Sequence, residues 1–250
     1  MPNDLFNKWL HQIATPHKNV ALYGERSGAR TVGLKTLKPL VADHFVGEAT
    51  ILSAGGYKKA ADLIKNSLPT SNKKTTRSGD LCELLATEYV DSETSFVVPI
   101  KKLRWKSDRE MPMHGNDVIG VDPTVSPTRV LKGECKSRAV FGAGVVTEAA
   151  KTLDLHDGRP NPSTLAFIAK RLYEQKRDDE ANVFRDLQCT ATIAAKSITH
   201  MIFVLAGSDP SADLAAGPKP KRSGIKRENA AVLIGDHQAF IKAVYKTHGA

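Results

Sequence analysis

Cysteine is scarce in this chain, and its few copies stand apart. Cys82, Cys135 and Cys189 are the three present in 250 residues, and none forms a CxxC pair. That excludes a disulfide framework and a thiolate zinc site, and it points to reduced thiols. Long apolar runs are missing too. The longest, residues 201–207, is bounded by His200 and Ser208, far short of the ~20 residues a membrane helix needs. The opening MPNDLFNKWLHQIA has no extended apolar core followed by a small-residue cleavage site, so no secretory signal is expected. No internal repeat is visible. The FGAG of residues 141–144 lacks the full phosphate-cradling glycine pattern and sits in the wrong place for one.

Negative charge is also in short supply. Lys and Arg number 36 against 27 Asp and Glu, a net charge of +9. A basic balance favours polyanions, nucleic acid above all. Hydrophobic content of 41% and charged content of 25% are those of an ordinary globular chain. Its length suits one sizeable core with a small appended unit.

Apolar spacing predicts a helix over residues 5–13, with Asn3 or Asp4 as N-cap, and a short strand over 19–23. Helices follow over 33–45 and 58–68. Residues 69–78 (PTSNKKTTRS) are polar and basic, the best candidate boundary. The expected organisation is therefore an N-terminal mixed or helical extension, residues 1–75, and a core domain, residues 76–250. Within the core, 79–90 (GDLCELLATEYV) is a helix. Residues 96–98 and 103–105 read as extended segments broken by Pro99. Helices are expected over 145–153, after a Ser163 or Thr164 cap, over 179–195 and over 237–245. Strands are expected over 201–205 and 230–234, with a long basic loop at 207–227. This alternation implies an α/β fold, a mixed central sheet covered by helices on both faces.

The chemistry concentrates in HGNDVIGVDPTVSPTRVLKGECKSR, residues 114–138. Two apolar runs, 118–121 and 130–131, flank a turn-rich segment, the pattern of two strands joined by a loop. Asp122 reads as a turn residue. Asp117 heads the first strand, and Glu134 and Lys136 end the second. Alternation puts Glu134 and Lys136 on one face and Cys135 on the other. If the strands pair, Asp117 joins Glu134 and Lys136 at one end of a sheet. Two carboxylates beside a lysine suit a hard divalent cation, Mg²⁺ or Mn²⁺, with a nearby charge for phosphate. Asp117, Glu134 and the Cys135 backbone carbonyl are the expected metal ligands of a nuclease. Lys136 would position or deprotonate water, or neutralise phosphate.

A bare Glu-x-Lys is common, and Glu174-Gln175-Lys176 is a second copy. That one lies in a helical stretch, where residues two apart do not share a face. Lys101, Lys102, Arg104, Lys106 and Arg109, with Arg138, could line a phosphate-binding rim; alternating Lys and Arg also suit the wet face of an edge strand. His114 is a possible phosphate contact, and Ser137 with a distant histidine is no nucleophile signature. On the 79–90 helix, a helical wheel puts Glu88 rather than Glu83 at the centre of the apolar stripe.

The blocks Gly79-Asp80-Leu81-Cys82-Glu83-Leu84-Leu85, Gly115-Asn116-Asp117 and Gly133-Glu134-Cys135-Lys136 resemble the PD-(D/E)xK, restriction-endonuclease-like superfamily. Within it they resemble the HamA family, nuclease subunits of the Hachiman anti-phage defence system. Together they span about a quarter of the chain, residues 79–138. The resemblance implies Mg²⁺-dependent DNA cleavage in the bacterial cytoplasm, with a superfamily 2 helicase (HamB-like) as partner. It also points to Glu83 as a site residue, against the helical wheel. A stand-alone restriction or repair endonuclease, and a non-catalytic adaptor holding DNA or a helicase, are the alternatives.

Overall fold

An unbroken apolar run becomes the central strand. In the computed structural model, which describes residues 5–190 and 193–250, β5 (Ile198–Ala206) is buried along its whole length. Around it lie β1 (Leu10–Ile13), β2 (Val20–Glu25), β3 (Val118–Asp122), β4 (Arg129–Arg138) and β6 (Lys226–Leu233), in the order β1-β2-β6-β5-β4-β3. The strands β2, β6, β5 and β4 run parallel, and β1 and β3 close the two edges antiparallel. A parallel centre has to be covered on both faces, and helices do so.

The helices are α1 (Arg30–Phe45), α2 (Glu48–Ser53), α3 (Ala61–Ser67), α4 (Lys74–Glu93), α5 (Ala143–Asp154), α6 (Pro162–Glu174), α7 (Asp178–Cys189), α8 (Ser211–Ala216) and α9 (His237–Lys246). On one face Leu81 and Leu85 of α4, Leu37 of α1 and Phe240 of α9 pack with Phe203 and Leu205 of β5. On the other, Val146 and Leu153 of α5 and Leu214 of α8 meet Ile202 and Val204. A third cluster joins α6 and α7 to Ile119 and Val130 of the β3–β4 hairpin. The mixed α/β sheet flanked by helices is thus as expected from the alternation of elements.

Several local expectations are corrected. Residues 5–13 are not one helix: a π-helical turn (Leu5–Trp9) leads into β1. Pairing of Leu10–Ile13 with β2 outweighs local helical periodicity. Asn3 and Asp4 lie outside the described residues. Residues 74–78 are the first turns of α4. Arg77 is buried there, its Nε donating to the Pro69 carbonyl at 2.9 Å. The segment before residue 76 supplies β1 and β2 to the same sheet.

Residues 103–105 are not extended; Lys102–Trp105 is a 3₁₀ turn, anchored by buried Leu103. Of residues 96–98, Val97 bridges to β3, opposite Val121. Asn161, rather than Ser163 or Thr164, caps α6: its side chain accepts from the Ser163 N–H, and Pro162 takes the first helical position. The expected 207–227 loop contains α8, because Leu214 has a buried seat against the sheet.

Candidate active site

The β3–β4 register builds the site. Val118 lies opposite Gly133, so Asp117, one residue before the strand, arrives level with the Glu134–Lys136 end of β4. Its Oδ2 accepts the Cys135 backbone N–H at 2.8 Å. Lys136 Nζ is 3.1 Å from Glu134 Oε1, and the two share a face, as alternation requires. Cys135 turns the other way, towards the core on the α4 face. Two glycines permit this approach. A Cβ at Gly133 would stand 3.0 Å from Val118 Cβ and 3.2 Å from Met201 Cε. Gly115 has φ +95°, and a Cβ there would meet Thr164 Oγ1 at 2.3 Å. That oxygen instead accepts the Asn116 N–H, and so holds the entry to Asp117.

The helix α4 adds a second tier. Glu83 Oε2 is 3.7 Å from Lys102 Nζ, which donates to the Asn116 carbonyl at 2.7 Å. One turn earlier, buried Asp80 pairs with Lys106 at 2.7 Å. Glu88, the centre of the helical wheel, is buried but faces α1, 2.7 Å from His44 Nε2 and 3.1 Å from Lys101. The helical-wheel reading found a buried carboxylate without finding its partner. Glu83, by contrast, lies close enough to Asp117 to feel its charge.

Crowding of buried acids raises their pKa values. Burial, reinforced by Asp117 and Asp80 and opposed by Lys102 and Lys106, pushes Glu83 up to about 8. Burial and the Asp117 charge push Glu134 up to about 7, with Lys136 opposing. Asp117 is raised by burial, against Lys102, the Cys135 N–H and Lys136. Asp80 stands at about 6, raised by burial and restrained by Lys106. Burial works against the charge on Lys136, but Glu148 and Glu134 hold it above its ordinary value. Glu148 of α5, 2.7 Å from Lys136, escaped the sequence reading. So did the pairing of Asp80 with Lys106, although Asp80 and Glu83 stand one helical turn apart.

The donor chemistry fits a hard divalent ion. Asp117 is close enough to raise the proton affinity of Glu134, a local negative charge that a cation relieves. Among the described residues no three His, Cys, Asp or Glu side chains form a metal-holding group. An ion here would rest on two carboxylates, backbone oxygen and water, a pattern that suits Mg²⁺ better than a closed protein cage.

The expected basic rim is largely neutralised within the protein. Lys101 pairs with Asp43 and Glu88, Arg104 with Asp43, Lys106 with Asp80 and Arg109 with Glu110. Lys102 is buried beside Glu83. Arg138 is exposed, with Nη1 donating to the Ser137 carbonyl. His114 lines a cleft of about 600 Å³ together with Lys102, Lys106 and Phe167. Ser137 does meet a distant histidine: its hydroxyl lies 2.9 Å from His237 Nε2 and 2.7 Å from Ser78 Oγ. The histidine's other nitrogen faces Gln238 rather than a carboxylate, so the contact ties α4, β4 and α9 together. Asp122 closes its turn by accepting from Thr124.

These features define an α/β protein with an acidic pair and a lysine at one end of its sheet, backed by a carboxylate-bearing helix. The chain belongs to the HamA family, whose model matches residues 3–247. It is 32% identical over 137 residues to the Hachiman protein HamA of Bacillus cereus, covering 55% of this chain. The match spans about half the relative's length, 48%. Among the described residues no helix is long and apolar enough to cross a membrane.

Proposed function

We propose that this protein is a metal-dependent DNA nuclease of the PD-(D/E)xK type, the effector subunit of a Hachiman anti-phage system that works with a helicase subunit. The observation that carries this reading is the convergence of Asp117, Glu134 and Lys136 at one sheet end, with Asp117 Oδ2 2.8 Å from the Cys135 N–H and Glu134 3.1 Å from Lys136. Membership of the HamA family and the name of the Bacillus cereus relative support the biological setting.

Asp117, Glu134 and the Cys135 carbonyl would hold Mg²⁺ or Mn²⁺, which when bound supplies Lewis-acid stabilisation of phosphate charge and a more acidic water. Lys136, kept charged by Glu134 and Glu148, is the group to face a phosphate oxygen. Glu83 anchors Lys102 behind Asp117 and thereby fixes the loop at Asn116. The test is cleavage of plasmid and linear DNA with Mg²⁺ or Mn²⁺, with EDTA and the Glu134→Ala, Lys136→Ala double variant as controls. It is repeated with the co-purified helicase and ATP. Metal-dependent cutting lost in the folded variant is the expected result. No cutting in either setting, or cutting unaffected by the substitutions, would refute the reading.

A further inference from the structure

A group of cations with no ion-pair partner among the described residues lies near Lys136. A cleft of about 340 Å³ runs past Lys136, Ser137 and Arg138 to Lys74 and Gln238. Lys74 and Gln238 also form the wall of a second cleft, about 560 Å³, between the start of α4 and α9. The two therefore share a wall. The second is lined by Arg77, Lys242 and Lys246, and no Asp or Glu side chain lines either. Lys242 and Lys246 stand one turn apart on the same side of α9. Together with Lys74 they are exposed, and none of the three has an ion-pair partner among the described residues.

Arg77 is a different kind of group. It is 4% exposed, its guanidinium lies 4.8 Å from the centre of the Tyr245 ring, and Nε is spent on Pro69. Arg77 lines the second cleft, and its buried Nη2 has no hydrogen-bond partner among the described residues. A buried guanidinium with an unused donor, next to three free lysines, suits an anion.

We propose that the α4–α9 cleft is the track for the sugar-phosphate backbone of the nucleic-acid strand that reaches Lys136. Lys74, Lys242 and Lys246 pair with successive phosphates, and the buried Arg77 guanidinium adds positive charge behind them. Such contacts position a strand without reading its sequence. The inference rests on the nuclease reading for where the strand leads, but binding and cutting are separable.

The test uses the full chain in EDTA, so that binding is read without cleavage. Fluorescence anisotropy of a labelled 20-nucleotide single strand and of the matching duplex is followed across a KCl series. The Lys242→Ala, Lys246→Ala variant is compared with a Lys58→Ala, Lys170→Ala control, which removes equal charge from exposed positions elsewhere. Two lost phosphate contacts lower the slope of log K against log salt by about 1.4 for a single strand or 1.8 for a duplex. Weakened binding of that form in the cleft variant alone is the expected result, and it stands even if no cleavage is seen. Unchanged affinity and slope, or equal loss in the control, would overturn the proposal. So would absence of DNA binding by the wild-type chain. Inorganic phosphate that saturates the cleft at millimolar concentration without displacing DNA would overturn it in favour of a free-anion site.

Discussion

Acid should destabilise this fold through one histidine in the middle of its sheet. His200 lies in β5, fully buried, with Lys132 of β4 and Arg227 of β6 as its cross-strand neighbours. Its Nε2 is 2.7 Å from the Gly158 carbonyl and must donate, and Nδ1 has no hydrogen-bond partner among the described residues. The ring is therefore neutral. Burial, with Arg227 and Lys132 adding repulsion, lowers its pKa from 6.5 to about 4.

A histidine depressed in the folded state binds a proton more readily when unfolded. Its contribution is thus fully present above the unfolded pKa and is lost as pH falls from about 6.5 towards 4. At 1.36 kcal/mol per unit, the loss is about 2 kcal/mol at pH 5 and approaches about 3 kcal/mol at lower pH. For a chain of this size the pH 5 figure corresponds to a Tm change of about 4–8 °C. Other histidines titrate as well, so the assay is a difference of differences. Wild type and His200→Gln are melted at pH 7.5 and pH 5, and the acid-induced drop should be smaller in the variant by about 2 kcal/mol. Equal drops in both proteins would refute the assignment of a buried neutral ring.

Lys106→Met should destabilise the protein by about 3–5 kcal/mol at pH 7.5, because it leaves Asp80 buried without its counter-charge. Adding Asp80→Asn should restore much of that loss in urea melts, and a double variant no more stable than Lys106→Met would contradict the pairing. Gly115→Ala combines φ +95° with a contact of 2.3 Å to Thr164 Oγ1, so a cost of about 2 kcal/mol or more is expected. Calorimetry showing an unchanged Tm would mean that the Gly115–Asp117 turn is looser than described. Cleavage by the Glu134→Ala, Lys136→Ala variant and salt-dependent DNA binding by Lys242→Ala, Lys246→Ala complete the set; activity is expected to vanish in the first and the binding slope to fall in the second.

Period and spacing were enough to find the strands around the site. Paired, the apolar runs beside Asp117 and before Glu134 bring both acids to one end, and alternation puts Glu134 and Lys136 on one face. The same logic identified β5 from its uninterrupted apolar run and α4 from its leucines. It failed at β1, where the partner strand overrode a helical pattern, and at Lys102–Trp105, where alternating cations looked like a wet strand.

The mixed α/β class and the placing of Asp117, Glu134 and Lys136 were therefore legible in the sequence itself, because strand alternation and helix periodicity are local rules. Which carboxylate of α4 faces the site was not. A helical wheel ranks positions by the hydrophobicity of their own helix, whereas Glu88 is held by His44 and Glu83 by Lys102, partners far away in the chain. The fate of the basic residues was equally a tertiary matter. Lys101, Arg104, Lys106 and Arg109 are spent on carboxylates of other segments or neighbours, while Lys74, Lys242 and Lys246, beside Arg77, have no ion-pair partner among the described residues. A charge available to a ligand is one that folding has not already neutralised, and only the packed structure decides which those are.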